Sequence, residues 1–312
     1  MCIIGSMRFT AILVSSAMLA LGAAHAAPTT SILFIGNSFT FGAGSAVHFY
    51  RADTVTDLNH EGIGGVPALF KSFASQAGLA YDVSLETHPG VGLDFHLQSK
   101  LEAIGSRPWD VVVMHGFSTL DAEKPGGPAK LIATTRQMAE FIREHNPKAE
   151  IYLTATWSRP DLTYVPGAAW FGKPIETMAR DVRSGYDKAA AAPAVKSVIP
   201  VGEAFTRAIQ TGVADPNPYD GIEPGKLDLW TSDHYHASTY GYYLEALVVF
   251  GDVTKRDPRS LGTNECSAYE LGLAPREARA LQQVAFDQLV NAGAVTPGPG
   301  PANTGSALRC AR

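Results

Sequence analysis

The sequence is poor in cysteine and in charge. Its three cysteines, Cys2, Cys266 and Cys310, lie too far apart for a C-x-x-C redox pair or a paired-cysteine zinc site. Charged residues make up 18%, and the balance of 25 basic against 30 acidic side chains leaves a net charge of -5. That balance gives no electrostatic basis for gripping a phosphate backbone, so nucleic-acid binding is not expected. H-E-x-x-H is missing, and His60, His88, His96 and His115 have no metal-ligand spacing, so no metal is expected. The dinucleotide glycine fingerprint and the complete phosphate-binding loop are missing too, and no cofactor is expected. No G-x-S-x-G elbow occurs. Beyond the N-terminal segment no apolar run is long enough to span a bilayer, so stable membrane insertion is not expected. What is present is 46% apolar residues, enough for a full core, with 30 Gly and 20 Pro marking many loops.

The N-terminal segment 7–26 reads MRFTAILVSSAMLALGAAHA. Arg8, a short apolar run and the Ala24-His25-Ala26 end have the form of a secretory signal peptide cut after Ala26. Residues 1–26 are therefore expected to be removed, 27–292 to fold, and 293–312 to form a Pro/Gly-rich tail. The product is expected to be periplasmic or secreted. Export permits a disulfide between Cys266 and Cys310, which would pin the tail to the body.

Short β-rich runs alternate with helical patterns along the rest. Strands are expected at 31–35, 81–86, 109–114, 150–154 and 195–201, and helices at 67–77, 129–145, 175–192, 239–251 and 275–292. The run WDVVVM is apolar without alternation, as a central strand covered on both faces requires. This order predicts a three-layer α/β/α sandwich with a mostly parallel central sheet. Ligands in such folds sit beyond the C-terminal ends of the strands. Ser38, His115 and the loop 156–174 follow expected strand ends. That loop holds Trp157, Tyr164 and Trp170, which are expected either to line a substrate groove or to pack the loop down.

Gly36-Asn37-Ser38-Phe39-Thr40 follows the first strand at once, and Asp233-His234-Tyr235-His236 stands near the other end. A carboxylate three residues from an imidazole can orient it, and the imidazole can then take a proton from a serine hydroxyl.

SILFIGNSFT resembles the first block of the SGNH hydrolases, the GDSL-like esterase and lipase superfamily, in an exported bacterial GNSFT-type form. DHYHASTYGYYLEAL is similar to the closing D-x-x-H block. The resemblance implies an SGNH/flavodoxin-like fold with Ser38 as nucleophile, His236 as general base and Asp233 as the orienting carboxylate. It also implies an oxyanion hole. HPGVGLDFH (88–96) is similar to the second block, so Ser38 and Gly90 would supply backbone N–H groups, with Gly92 the rival. The third block's G-x-N-D is replaced by WDVVVMHGFS (109–118), which leaves His115, or less favourably Ser118, to stand in for the asparagine. The activity implied is hydrolysis of carboxylic esters, short-chain or acetyl ones foremost, on a small molecule or a polysaccharide. Alternatives are a lipase, phospholipase or thioesterase on the same triad, and a catalytically inactive glycan- or lipid-binding protein.

Overall fold

The computed structural model describes residues 1–3, 29–192, 195–299 and 310. The expected signal peptide falls almost wholly outside the described residues, as does most of the expected tail.

Strand β1 (Thr30–Gly36) runs into the turn helix α1 (Ser38–Phe41). Two-residue β2 (Thr56–Asp57), helix α2 (Gly65–Gln76) and β3 (Tyr81–Thr87) follow. Short helices α3 (Leu93–Ser99) and α4 (Leu101–Ile104) lead to β4 (Val111–Met114). Then come α5 (Ala129–His145), β5 (Glu150–Ala155), α6 (Pro160–Thr163), α7 (Glu176–Ala189) and β6 (Val195–Pro200). The chain continues through α8 (Val201–Gln210), α9 (Thr239–Thr254), α10 (Cys266–Glu270) and α11 (Pro275–Asn291).

The six strands form one sheet in the order β2-β3-β1-β4-β5-β6, and every pairing is parallel. Parallel sheets need cover on both faces, and β1 shows why its run Ile32–Ile35 is apolar without alternation. Ile32 and Phe34 face one core, with α2, α8, α9 and α11, while Leu33 and Ile35 face the other, with α3, α5 and α7. Each such side chain, fully buried, contributes about 1.5–3 kcal/mol. The result is the expected α/β/α sandwich.

Local rules fix the elements that position the site. In α5, Leu131, Thr135, Met138, Ala139 and Ile142 are buried at helical spacing. The helix stops because Pro147 forces Asn146 into extended backbone, φ -144° and ψ 101°. Helix α9 is buried at every position from Gly241 to Val253, Glu245 and Asp252 included, so it runs through the core rather than over it. Helix α8 begins directly where β6 ends, and the expected strand 195–201 gives way there at Pro200. Cys266, at the start of α10, is disulfide-bonded to Cys310 with Cα atoms 5.4 Å apart. Among the described residues no helix is long and apolar enough to cross a membrane.

The loop after β5 differs from one of its two readings. Trp157 is fully buried, stacked between Phe39 (4.0 Å) and Phe205 (5.0 Å). Trp170 is buried in the second core, with its indole N–H on Asp181 (2.8 Å). Both faces of the Trp157 indole are covered, so the substrate-binding role expected for Trp157 is corrected to core packing, while Trp170 borders a cavity shared with Pro125, Lys173 and Asp181. Burying such large apolar rings outweighs leaving them at a groove.

Candidate active site

Three loops meet where β1, β3 and β4 end. Gly36 closes β1 where no side chain fits. A Cβ there would overlap Thr40 Oγ1 and lie 2.6 Å from His115 Nε2. Asn37 caps α1, its Oδ1 accepting the Phe39 N–H (3.1 Å). Its Nδ2 donates to the Val91 carbonyl (2.8 Å) and the Gly116 carbonyl (3.3 Å), so one amide fastens all three loops. Ser38 follows, only 5% exposed, and its carbonyl accepts from the Tyr242 hydroxyl (3.1 Å) and the Ala43 N–H (3.1 Å).

The Asp233–His236 turn arrives from before α9. Asp233 Oδ1 accepts from the Thr231 hydroxyl (2.6 Å) and from the N–H groups of Tyr235 and His236 (both 2.9 Å). Its Oδ2 accepts the His236 Nδ1–H at 2.6 Å. Partial burial pushes the Asp233 carboxyl upward, but these donors outweigh it and hold the group well below the usual carboxylate range. A carboxylate that stays ionised fixes His236 as the Nδ1–H tautomer, which leaves Nε2 with a lone pair. That Nε2 is buried and has no hydrogen-bond partner among the described residues. The ring lies against Phe39, the residue after Ser38, with centroids 5.8 Å apart. The structure therefore sets the Asp233–His236 pair beside the residue that follows Ser38, with no hydrogen bond between Ser38 Oγ and His236 Nε2. His234 turns away in left-handed backbone, φ 54°, with its ring against Tyr219 (4.1 Å).

His115 is differently placed from its expected role. Its Nδ1 faces the Gly116 carbonyl (3.0 Å), which can only accept, so the proton is on Nδ1. Nε2 then accepts from the Thr40 hydroxyl (2.7 Å). Burial pushes its pKa down to about 4, so the ring is neutral. Both nitrogens are spent inside the fold. The expected His115 donor to an oxyanion is corrected: it braces the Ser38 turn from behind. Gly90 lies exposed at φ 70°, and Gly92 is buried against Phe117.

Ser118 is buried, and its Oγ accepts from Arg159 Nη1 (3.0 Å). The same guanidinium forks onto Asp161 (3.0 and 2.6 Å) and stacks 3.5 Å over the Tyr235 ring. Arg159 stands in the loop 156–174, and spacing in the sequence cannot show which ring it covers. Of the aromatic residues expected at the substrate, Tyr164 alone stays half-buried. Its hydroxyl donates to the Pro216 carbonyl (2.8 Å), and its ring meets the exposed Tyr219 edge-on (6.3 Å). Tyr219 lies in a loop that carries no motif, and sequence reasoning missed it.

A second carboxylate–imidazole pair, Glu86 with His96, is fully buried between β3 and α3. Glu86 also accepts from Asn59 (3.2 Å), and the pair anchors the helix that follows the Gly90–Gly92 turn. Among the described residues no group of three or more His, Cys, Asp or Glu could hold a metal ion.

No family model matches the sequence, and no curated protein matches it. Solved structures do. A DUF4886 family protein from Bacteroides uniformis is 18% identical, with 86% of this chain and 98% of that chain covered and a TM-score of 0.59. A candidate GDSL-like lipase from Parabacteroides merdae is 16% identical, with 72% of this chain and 95% of that chain covered and a TM-score of 0.52. At such identity the likeness is one of fold: this chain has the same sandwich as both.

Proposed function

We propose that the protein is an exported serine hydrolase of carboxylic esters, of the SGNH or GDSL-like kind. One observation carries the reading. An ionised Asp233 holds His236 in the tautomer whose free Nε2 is buried beside the Ser38–Phe39 turn. The sequence blocks around Ser38 and His236, and the fold shared with a candidate GDSL-like lipase, support it.

In this reading Ser38 Oγ attacks the acyl carbon as His236 Nε2 takes its proton. The carbonyl π electrons move onto oxygen, and backbone N–H groups of Ser38 and of the Gly90–Gly92 turn receive that charge. His236 returns the proton to the leaving alcohol. Water, activated by the same imidazole, then frees the acid from Ser38. Each oxyanion donor is worth about 2.7–4 kcal/mol in the transition state. The preference for short acyl groups rests on the resemblance to the GDSL-like family. Tyr219 and Tyr164, beside His234, offer ring faces and edges to the alcohol part, which suits a sugar or an aryl ester.

The test is hydrolysis of p-nitrophenyl esters from acetate to palmitate by the chain from Ala27, with Ser38→Ala alongside. Acetate or butyrate turnover that vanishes in the variant is the expected result. Turnover retained by Ser38→Ala refutes the mechanism. An intact mass of the secreted product that begins elsewhere than Ala27 refutes the proposed cleavage.

A further inference from the structure

The hydrolytic reading uses Ser38, His236 and Asp233 and leaves the buried pair of Glu86 and His96 without a task. Resting on that reading, we propose that Glu86 and His96 are positioning residues for the reaction. Their bond closes segment 86–96 into a clamp that sets the N–H groups of the glycine turn against the Ser38 turn.

Stability alone explains the pair poorly. Glu86 and His96 are both 0% exposed. Desolvating such a pair costs as much as its attraction returns, and apolar side chains of similar volume often serve a core as well. Yet the pair is elaborately kept. A carboxylate can only accept, so His96 Nδ1 carries the hydrogen that Glu86 Oε2 takes. Glu86 Oε1 accepts from Asn59 Nδ2 (3.2 Å), which also donates to the Thr87 carbonyl (2.9 Å). Lys100 Nζ donates to Asn59 Oδ1 at 2.7 Å and stands 3.9 Å from Glu86 Oε1. One carboxylate thus gathers the end of β3, helix α3 and the loop after β2.

The glycine turn lies between the two clamped residues. Glu86 is next to last in β3, and His96 is in α3. Among the described residues, the N–H groups of Gly90, Val91 and Gly92 have no partner. A segment whose amides are unspent takes its position from its ends and its carbonyls. Those contacts lead to the two residues before Ser38. The His88 N–H donates to the Gly36 carbonyl (3.2 Å), and the Val91 carbonyl accepts from Asn37 Nδ2 (2.8 Å). The His88 ring is stacked 4.4 Å on Phe95, the neighbour of His96. The Glu86–His96 bond therefore fixes the span across which three free N–H groups are presented beside the serine turn.

The test pairs turnover of p-nitrophenyl acetate with the amide order parameters of Gly90, Val91 and Gly92. The main variant is Glu86→Leu with His96→Leu, which leaves no buried charge unpaired. Its kcat is expected to fall on the order of 10²-fold with KM held, as a misplacement of about 1 Å does. The order parameters are expected to drop from about 0.85 to below about 0.6. His96→Asn alone keeps an N–H for Glu86 and is expected to stay within about tenfold of the wild-type kcat. A folded double variant with the wild-type kcat overturns the inference and leaves the hydrolase reading intact. A His96→Asn kcat as low as the double variant's overturns it too. Should the double variant not fold, Asn59→Ala carries the test, since that half-buried amide holds both Glu86 and Thr87. The wild-type kcat and order parameters in Asn59→Ala then overturn the clamp. A wild type that cleaves no p-nitrophenyl ester counts against the hydrolase reading itself. The clamp is then decided by the order parameters, and equal values in wild type and double variant overturn it.

Discussion

The two turns that meet at the candidate site are held by different forces. The Ser38 turn is buried and wedged: Gly36 admits no side chain, Asn37 ties three loops, and Tyr242 takes the serine carbonyl. The Asp233–His236 turn stands at the surface, with the Asp233 side chain 47% exposed, and is held by hydrogen bonds to that carboxylate together with those of the Tyr235, His234 and His236 carbonyls to Trp157, Asp161 and Thr231. Packing fixes the Ser38 turn, and polar tethers fix the His236 turn. Damage to the first should therefore register as instability, and damage to the second as lost turnover in an intact fold.

The sharpest way to break this contrast is Asp233→Asn. The amide keeps an oxygen for the Thr231 and backbone donors but presents an N–H to His236 Nδ1, which reverses the tautomer. Turnover of p-nitrophenyl acetate is expected to fall about 10³–10⁴-fold, with a thermal midpoint close to the wild type's. A large drop in midpoint would show that this turn, too, is part of the core's support.

The next effect is one of pH, and it belongs to the packed turn. Below pH 6.5 the unfolded chain protonates His115, whereas the folded protein keeps it neutral until about pH 4. The unfolded state binds the extra proton across that window, so stability falls as pH drops through it, by about 3 kcal/mol in total. Urea unfolding from pH 7 to pH 4 should show the decline, and His115→Gln should flatten it. An unchanged slope in that variant would remove His115 as its source.

Gly36→Ala should cost about 2 kcal/mol through overpacking against Thr40 and His115. Urea midpoints would measure it. A neutral result would mean that the wedge yields. The smallest effect concerns Glu245, buried in α9, where desolvation holds its carboxyl well above the ordinary value and one oxygen lacks a partner among the described residues. The unfolded chain ionises this group near the ordinary carboxylate range while the folded protein does not, so stability declines as pH rises above that range. Glu245→Gln should remove the decline and raise stability at pH 7 by about 1 kcal/mol. A lower melting temperature in that variant at pH 7 would contradict this account.

The same contrast marks how far the sequence could be read. Strands and long helices were legible because burial on both faces leaves continuous apolar runs such as SILFI, and burial on one face leaves the spacing of 131, 135, 138, 139 and 142. Ser38, Asp233 and His236 were legible as motif positions, and the structure shows the Asp233–His236 bond with the His236 ring against Phe39. Orientation was not legible. His115 stands at the expected strand end, yet its nitrogens are spent on Thr40 and Gly116, a matter of where a ring turns. Trp157 lies in the expected loop, but the loop folds inward onto Phe39 and Phe205. Arg159 gains its place only through residues far along the chain.

The bond between Tyr242 and Ser38 joins positions 204 residues apart. The last strand ends at Pro200, so the whole sheet is encoded before either Tyr242 or the histidine turn has been synthesised. A nascent chain halted between Pro200 and Trp230 would own every strand of the fold and the serine itself, yet neither the imidazole nor the tether on the serine carbonyl. Chemical competence would then arrive as a late event in the life of the molecule, and a reactive probe would report completed synthesis rather than completed secondary structure.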